Sequence, residues 1–83
     1  MDLPGKHWQA TDGWHIDVRG LSAPDPMVAI LGRIRLGGHH LPITVHHDRD
    51  PIYLYPELAE IGWSGKIIDG EPGEVRLLLQ GPS

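Results

Sequence analysis

Two alternating apolar runs, each followed by an Asp-Pro pair, limit what this chain can fold into more than any other feature. Trp14-His15-Ile16-Asp17-Val18 puts Trp14, Ile16 and Val18 on one side and His15 and Asp17 on the other. Leu41 to His46 repeats the pattern, with Leu41, Ile43 and Val45 on one side and Pro42, Thr44 and His46 on the other. A period of two is the signature of a half-buried strand. Asp25-Pro26 follows the first run and Asp50-Pro51 the second. Asp favours a helix N-terminus, and Pro fits the first turn, where its missing N–H costs nothing.

The first pair opens a clear helix. Met27, Ile30, Leu31 and Ile34 recur at the spacing of one helical face. Arg33 and Arg35 suit the negative end of the helix dipole, and Gly37-Gly38 stops the run. The second pair is complicated by Pro56, because an interior Pro costs ~3 kcal/mol. A turn over 51–54 and a helix from about Pro56 to Ile61 removes the conflict, with Leu58 and Ile61 facing in and Gly62 as the stop. Trp63 to Asp69 and Val75 to Gln80 read as two strands joined by the Gly70-Glu71-Pro72-Gly73 turn. The order is β-α-β-α-β-β, an α/β (α+β) two-layer sandwich with a four-stranded mixed sheet and two helices on one face. Residues 1–13 show no period and are expected to form an arm that docks through Trp8. Residues 14–83 form the single domain. Its core should pack Met27, Ile30, Leu31, Ile34, Leu58 and Ile61 on Trp14, Ile16, Val18, Ile43, Val45, Val75, Leu77 and Leu79.

Composition narrows the function classes. The 83 residues leave room for one modest core, and the absence of Cys leaves that core without a disulfide staple. A net charge of −4 argues against nucleic acid as a partner. No apolar run nears the ~18 residues of a membrane span, and the first residues lack the pattern of a signal peptide, so a cytoplasmic protein is expected. Six His are many for this length, and protonating all of them would carry the charge from −4 to +2.

The loop after the first run carries a family resemblance. Asp17, Gly20, Leu21, Pro24, Asp25 and Pro26 follow the pattern of the TusA/SirA sulfur carriers, in which a Cys precedes Pro-acidic-Pro at the start of a helix. Ala23 stands at the position of that Cys, and a methyl group cannot carry a persulfide. The resemblance spans about residues 14–80 and implies the same element order, with the last strand antiparallel to the other three. A Cys-less bacterial family of TusA-like domains without known function is matched more closely, through Asp50, Pro51, Leu54, Tyr55, Pro56, Leu58, Gly62 and Trp63. Its members are often fused to, or found beside, hemerythrin-like or nitrogen-oxide-related proteins. No catalytic activity is implied.

Three groups of residues are candidates for function. The motif loop comprises Asp17, Arg19, Gly20, Leu21, Ala23, Pro24, Asp25 and Pro26. Arg49, Asp50, Tyr53 and Tyr55 form a candidate partner surface, since Tyr and Arg are enriched at binding hot spots. His15, Asp17 and His46 project from one sheet face if the two alternating runs are parallel neighbours, and two imidazoles with a carboxylate can hold a divalent metal. His39 and His40 lie about 20 Å from His46 and His47 at ~3.3 Å per strand residue, too far to share that metal, and are expected to be solvated. Ser22 has no nucleophile-elbow sequence around it. The sequence therefore points to a non-catalytic binding or adaptor module without a cofactor. It would meet a protein partner as a monomer or weak homodimer, away from membranes. A metal-binding protein using the surface His residues is the alternative.

Overall fold

The computed structural model describes residues 3–82. Five strands and two helices follow in the order β1 (Lys6–Ala10), β2 (Gly13–Asp17), α1 (Asp25–Leu36), β3 (Ile43–His47), α2 (Leu54–Glu60), β4 (Ser64–Ile68) and β5 (Val75–Gln80). The sheet order is β1-β2-β3-β5-β4. β2 and β3 are parallel, and β5 runs antiparallel to β3 and β4. The last strand thus opposes β2, β3 and β4, as the resemblance implied. The parallel step is closed by α1, the connection such a step requires.

The helix-side face is apolar and continuous. Ile16, Val45 and Leu77 form a row across three strands, and Ile43 pairs with Leu79. These residues are fully buried and share one cluster with Val18, with Ala29, Ile30 and Ile34 of α1, and with Leu54 and Leu58 of α2. Both helices therefore cover the same face. Met27 and Leu31 pack at the edge of the cluster. α1 ends where Gly37 turns to φ 77°, its N–H bonded to the Ile34 carbonyl. α2 starts at Leu54, two residues before the expected start at Pro56, so Pro56 is its third residue, within the first turn whose N–H groups have no helical acceptor. Its missing donor is therefore no loss.

Four expectations need correction. Residues 6–10 of the expected arm are a fifth strand, paired antiparallel with β2 through the two-residue turn Thr11-Asp12. Gly13 closes this hairpin at φ 117°, where an added Cβ would collide with the Pro42 carbonyl. The outer limits of the arm and the domain, residues 1, 2 and 83, lie outside the described residues. Leu41 is exposed rather than inward, because β3 starts two residues later. Ile61 is 41 % exposed, because α2 ends one residue before it. His39 is half-buried: its ring bonds the Arg33 carbonyl at 2.8 Å and meets the Trp63 ring edge-on.

β3 departs most from a one-faced strand. All five of its residues are buried, including Thr44 and His46 on the face without helices. The extra strand explains this. Trp8 pairs with His15 and lies over both His15 and His46, with ring centroids 5.2 and 5.5 Å away. Ile30→Ala should cost ~2–5 kcal/mol in chemical denaturation, as a buried large-to-small change. Ile61→Ala should cost under about 1 kcal/mol, since much less of its area leaves water. Equal losses would contradict the assigned helix faces.

Candidate functional site

The two sequence-selected loops meet at the carboxyl ends of β2 and β3. Between them lies an open cleft of about 480 Å³. The motif loop contributes Leu21, Ala23, Pro24 and Pro26, and the second loop contributes Arg49, Asp50 and Tyr53. Met27, Ile30, Pro51, Ile52 and Leu54 complete an almost wholly apolar wall, and His47 is the buried polar group in it. Its volume lies within the ~300–1,000 Å³ of small-molecule pockets, and its lining suits an apolar occupant.

A direct tie holds the loops together. The Gly20 backbone N–H donates to Asp48 Oδ2 at 3.1 Å, and Arg49 Nε donates to Oδ1 of the same carboxylate at 3.2 Å. The Gly20 bond, joined by Arg49 and against some desolvation, holds the Asp48 carboxyl below the ordinary carboxylate range. Tyr55 braces the second loop from behind by donating its hydroxyl to Asp50 Oδ1 at 2.8 Å. Burial and this bond push the Tyr55 phenol up to about 12. Tyr53 is exposed at the rim, while Tyr55 is half-buried against the core. Asp25 is the first residue of α1 and makes no capping bond, so it favours the helix by charge in the first turn. Asp25 and Ser22 do not line the cleft.

His47 ends the inward series Ile43, Val45, His47 on β3. The backbone N–H groups of Asp48 and Arg49 converge on its Nδ1 at 2.9 and 3.3 Å. Asp48 Oδ1 also lies 3.1 Å from Nδ1, a contact that would require a proton on that nitrogen. The backbone hydrogens decide between the two. Their directions are fixed, whereas Asp48 is already held by Gly20 and Arg49. Nδ1 is therefore assigned as the acceptor and Nε2 as the N–H. Nε2 has no partner among the described residues; the side chain is 3 % exposed, and Nε2 is not one of its fully enclosed atoms.

The opposite face holds a different constellation. His15 and His46 do share one patch, as expected from β2 and β3 being parallel neighbours. Their rings bond directly, His15 Nδ1 to His46 Nε2 at 2.9 Å. The outer nitrogens meet carboxylates: His15 Nε2 lies 2.8 Å from Asp12 and His46 Nδ1 lies 2.9 Å from Glu74. Asp17, the third expected ligand, is drawn away by Arg19, which bonds both its oxygens and lowers its carboxyl. No group of three or more His, Cys, Asp or Glu among the described residues is arranged to hold a metal ion. The expected trio is thus an ion pair beside a hydrogen-bonded imidazole couple. Three hydrogen bonds link Asp12, His15, His46 and Glu74, and two neutral rings carry only two N–H groups between them. This hydrogen-bonded chain lies beneath the Trp8 face.

Sequence reasoning missed Glu74 and Asp12, and it placed His47 in the turn after the strand, beside Asp48, rather than in the wall of a cleft. Glu74 is nearly buried and takes Arg76 Nε at 2.7 Å besides His46. Its burial acts to raise the carboxyl, but the bonds from His46, Arg76 and the Glu71 N–H prevail and hold it below the ordinary value. Nothing in its turn segment marked it. His47 was within reach of strand parity, but the alternating run had been ended at His46.

The chain matches the DUF2249 family, described as an uncharacterized conserved protein, over residues 15–80, and it belongs to that family. The match begins at His15 and so takes in both loops of the cleft. No curated protein matches the chain.

The loop tie has a pH signature. A carboxyl lowered on folding contributes stability that is complete above its unfolded value near ~3.9 and is lost as pH falls through the folded value. Asp48 should therefore titrate below the ordinary carboxylate midpoint, together with the Gly20 amide resonance, in carbon- and nitrogen-detected NMR. An ordinary midpoint with no response at Gly20 would mean that the loops are not tied.

Proposed function

We propose that this domain is a non-catalytic binding module whose working surface is the cleft between residues 20–26 and 47–54. One observation carries the reading: the motif loop and the second loop, separated by more than twenty positions in sequence, build one apolar cleft with an unpartnered ring nitrogen of the largely buried His47 at its wall. The similarity of the first loop to the TusA-type sulfur carriers adds support, because Ala23 lines the cleft at the position of their Cys. With a methyl group there and Ser22 outside the lining, the cleft offers binding without a sulfur or hydroxyl nucleophile.

In this reading the domain is an adaptor of the cytoplasm. The cleft takes a compact apolar group, and the exposed Ile52 and Tyr53 at its rim present the occupied state to a protein partner. The acidic charge balance favours a protein over nucleic acid or an anionic membrane surface. Among the described residues no helix is long and apolar enough to cross a membrane. Function as a monomer or weak homodimer fits the small size of the rim.

A fragment screen read by amide chemical shifts checks the reading. Hits should cluster on residues 21–30 and 47–54. Ala23→Leu, which fills the cleft from an exposed loop position, should weaken them by about tenfold or more with little change in thermal stability. Hits confined to other surfaces, or unaffected by the substitution, would contradict it.

A further inference from the structure

The wall of the cleft specifies more than an apolar occupant. We infer that its ligand is a small neutral apolar molecule with a carbonyl-type oxygen, accepted by the Nε2–H of His47. This rests on the cleft being a binding site and names what it binds.

Four observations on the site select this chemistry. First, the polar atom offered within the wall is a donor. Nδ1 of His47 is turned to the backbone N–H groups of Asp48 and Arg49, so the opposite nitrogen carries the hydrogen and lacks a partner among the described residues. This nitrogen is not among the fully enclosed unpartnered atoms and so is reached by solvent from the cleft. A ligand that covers it without offering an acceptor leaves it desolvated at about 1–3 kcal/mol, whereas an acceptor on the ligand avoids that cost. Second, the remainder of the deep wall is apolar, through Leu21, Met27, Ile30 and Leu54, so the body of the ligand must be apolar too.

Third, Arg49 is the one cation lining the cleft among the described residues. Its side chain is 65 % exposed, turned to solvent rather than into the apolar wall, and its Nε is held by Asp48. Fourth, the charge nearest the imidazole is negative. Asp48 Oδ1 lies 3.1 Å from the His47 ring, and the carboxyl, held below the ordinary carboxylate range by Gly20 and Arg49, is ionised at neutral pH. A carboxylate or phosphate entering the cleft would lose its hydration and face a like charge. A neutral ketone, ester or amide oxygen pays neither penalty. A pure hydrocarbon would leave the His47 donor unmatched.

The test uses three ligands of one shape: acetophenone, ethylbenzene and benzoate, each titrated into the labelled protein and followed by amide shifts at residues 21–30 and 47–54. Acetophenone should bind about tenfold tighter than ethylbenzene, the factor expected from one buried hydrogen bond, and tighter than benzoate. The His47 Nε2 resonance should move with acetophenone alone. In His47→Phe the advantage over ethylbenzene should vanish while both still bind. The comparison in the unsubstituted protein decides the matter if that variant fails to fold. Equal binding of acetophenone and ethylbenzene would overturn the inference, as would benzoate binding best. Cleft hits from the fragment screen with none from these three would remove this ligand class and leave the cleft as a binding site. An empty cleft in both experiments would remove the binding reading itself.

Discussion

The burial of β3 on both faces is the constraint on which the rest of this structure depends. A five-residue strand in a domain of this size would ordinarily turn one face to water. Here Ile43, Val45 and His47 point into the helix layer while Thr44 and His46 are covered from the other side. The covering is done by a hairpin partner, β1, whose Trp8 reaches past its neighbour strand to lie on His46. The sheet therefore has a centre, with β2 and β5 bonded to that strand and β1 and β4 at the edges. Removing either layer would expose polar groups that are now matched within the protein, the imidazole couple on one side and the backbone-bound ring on the other.

Two adjacent residues of β3 consequently have opposite chemistry. His46 belongs to a charged network that is closed on itself, with a carboxylate at each end and arginines beyond. That closure explains why two imidazoles and several carboxylates on one face do not form an evident metal centre: each donor atom is already spent on a neighbour. His47 belongs to the cleft and is tied only at one nitrogen. Membership in the DUF2249 family frames both features without assigning an activity to either. What distinguishes the cleft is that it joins both loops singled out in the sequence and leaves a donor free.

The strand-helix units were legible because their signals are local. Alternation in residues 14–18, the helical face of Ile30 and Ile34, and the stop at Gly37 each follow from a few neighbouring residues. The hairpin β4–β5 was legible from its Gly-Pro-Gly turn, and β5 falls on the expected residues. The first strand was not. Lys6 to Ala10 has one large apolar residue and an exposed edge, so it lacks the pattern that burial imposes, and its assignment comes from pairing. The motif loop and the second loop were both recognised as sites, but their meeting at one cleft depends on tertiary contact between Gly20 and Asp48. The Asp17 error has the same origin. Strand parity gave its face correctly, whereas its partner was decided by Arg19, two residues along and just past the strand end. Parity also suffices to put His47 inward once the strand is extended by a single residue.

The tautomer of the His47 ring decides what the cleft offers a ligand. Long-range proton–nitrogen NMR of the His47 imidazole, recorded above the pH range in which histidine titrates, reads its tautomer without any ligand. Hydrogen on Nε2, with Nδ1 carrying the nitrogen shift of an acceptor, is the predicted result. Hydrogen on Nδ1, donated to Asp48, would leave an acceptor rather than a donor facing the cleft and would contradict the account.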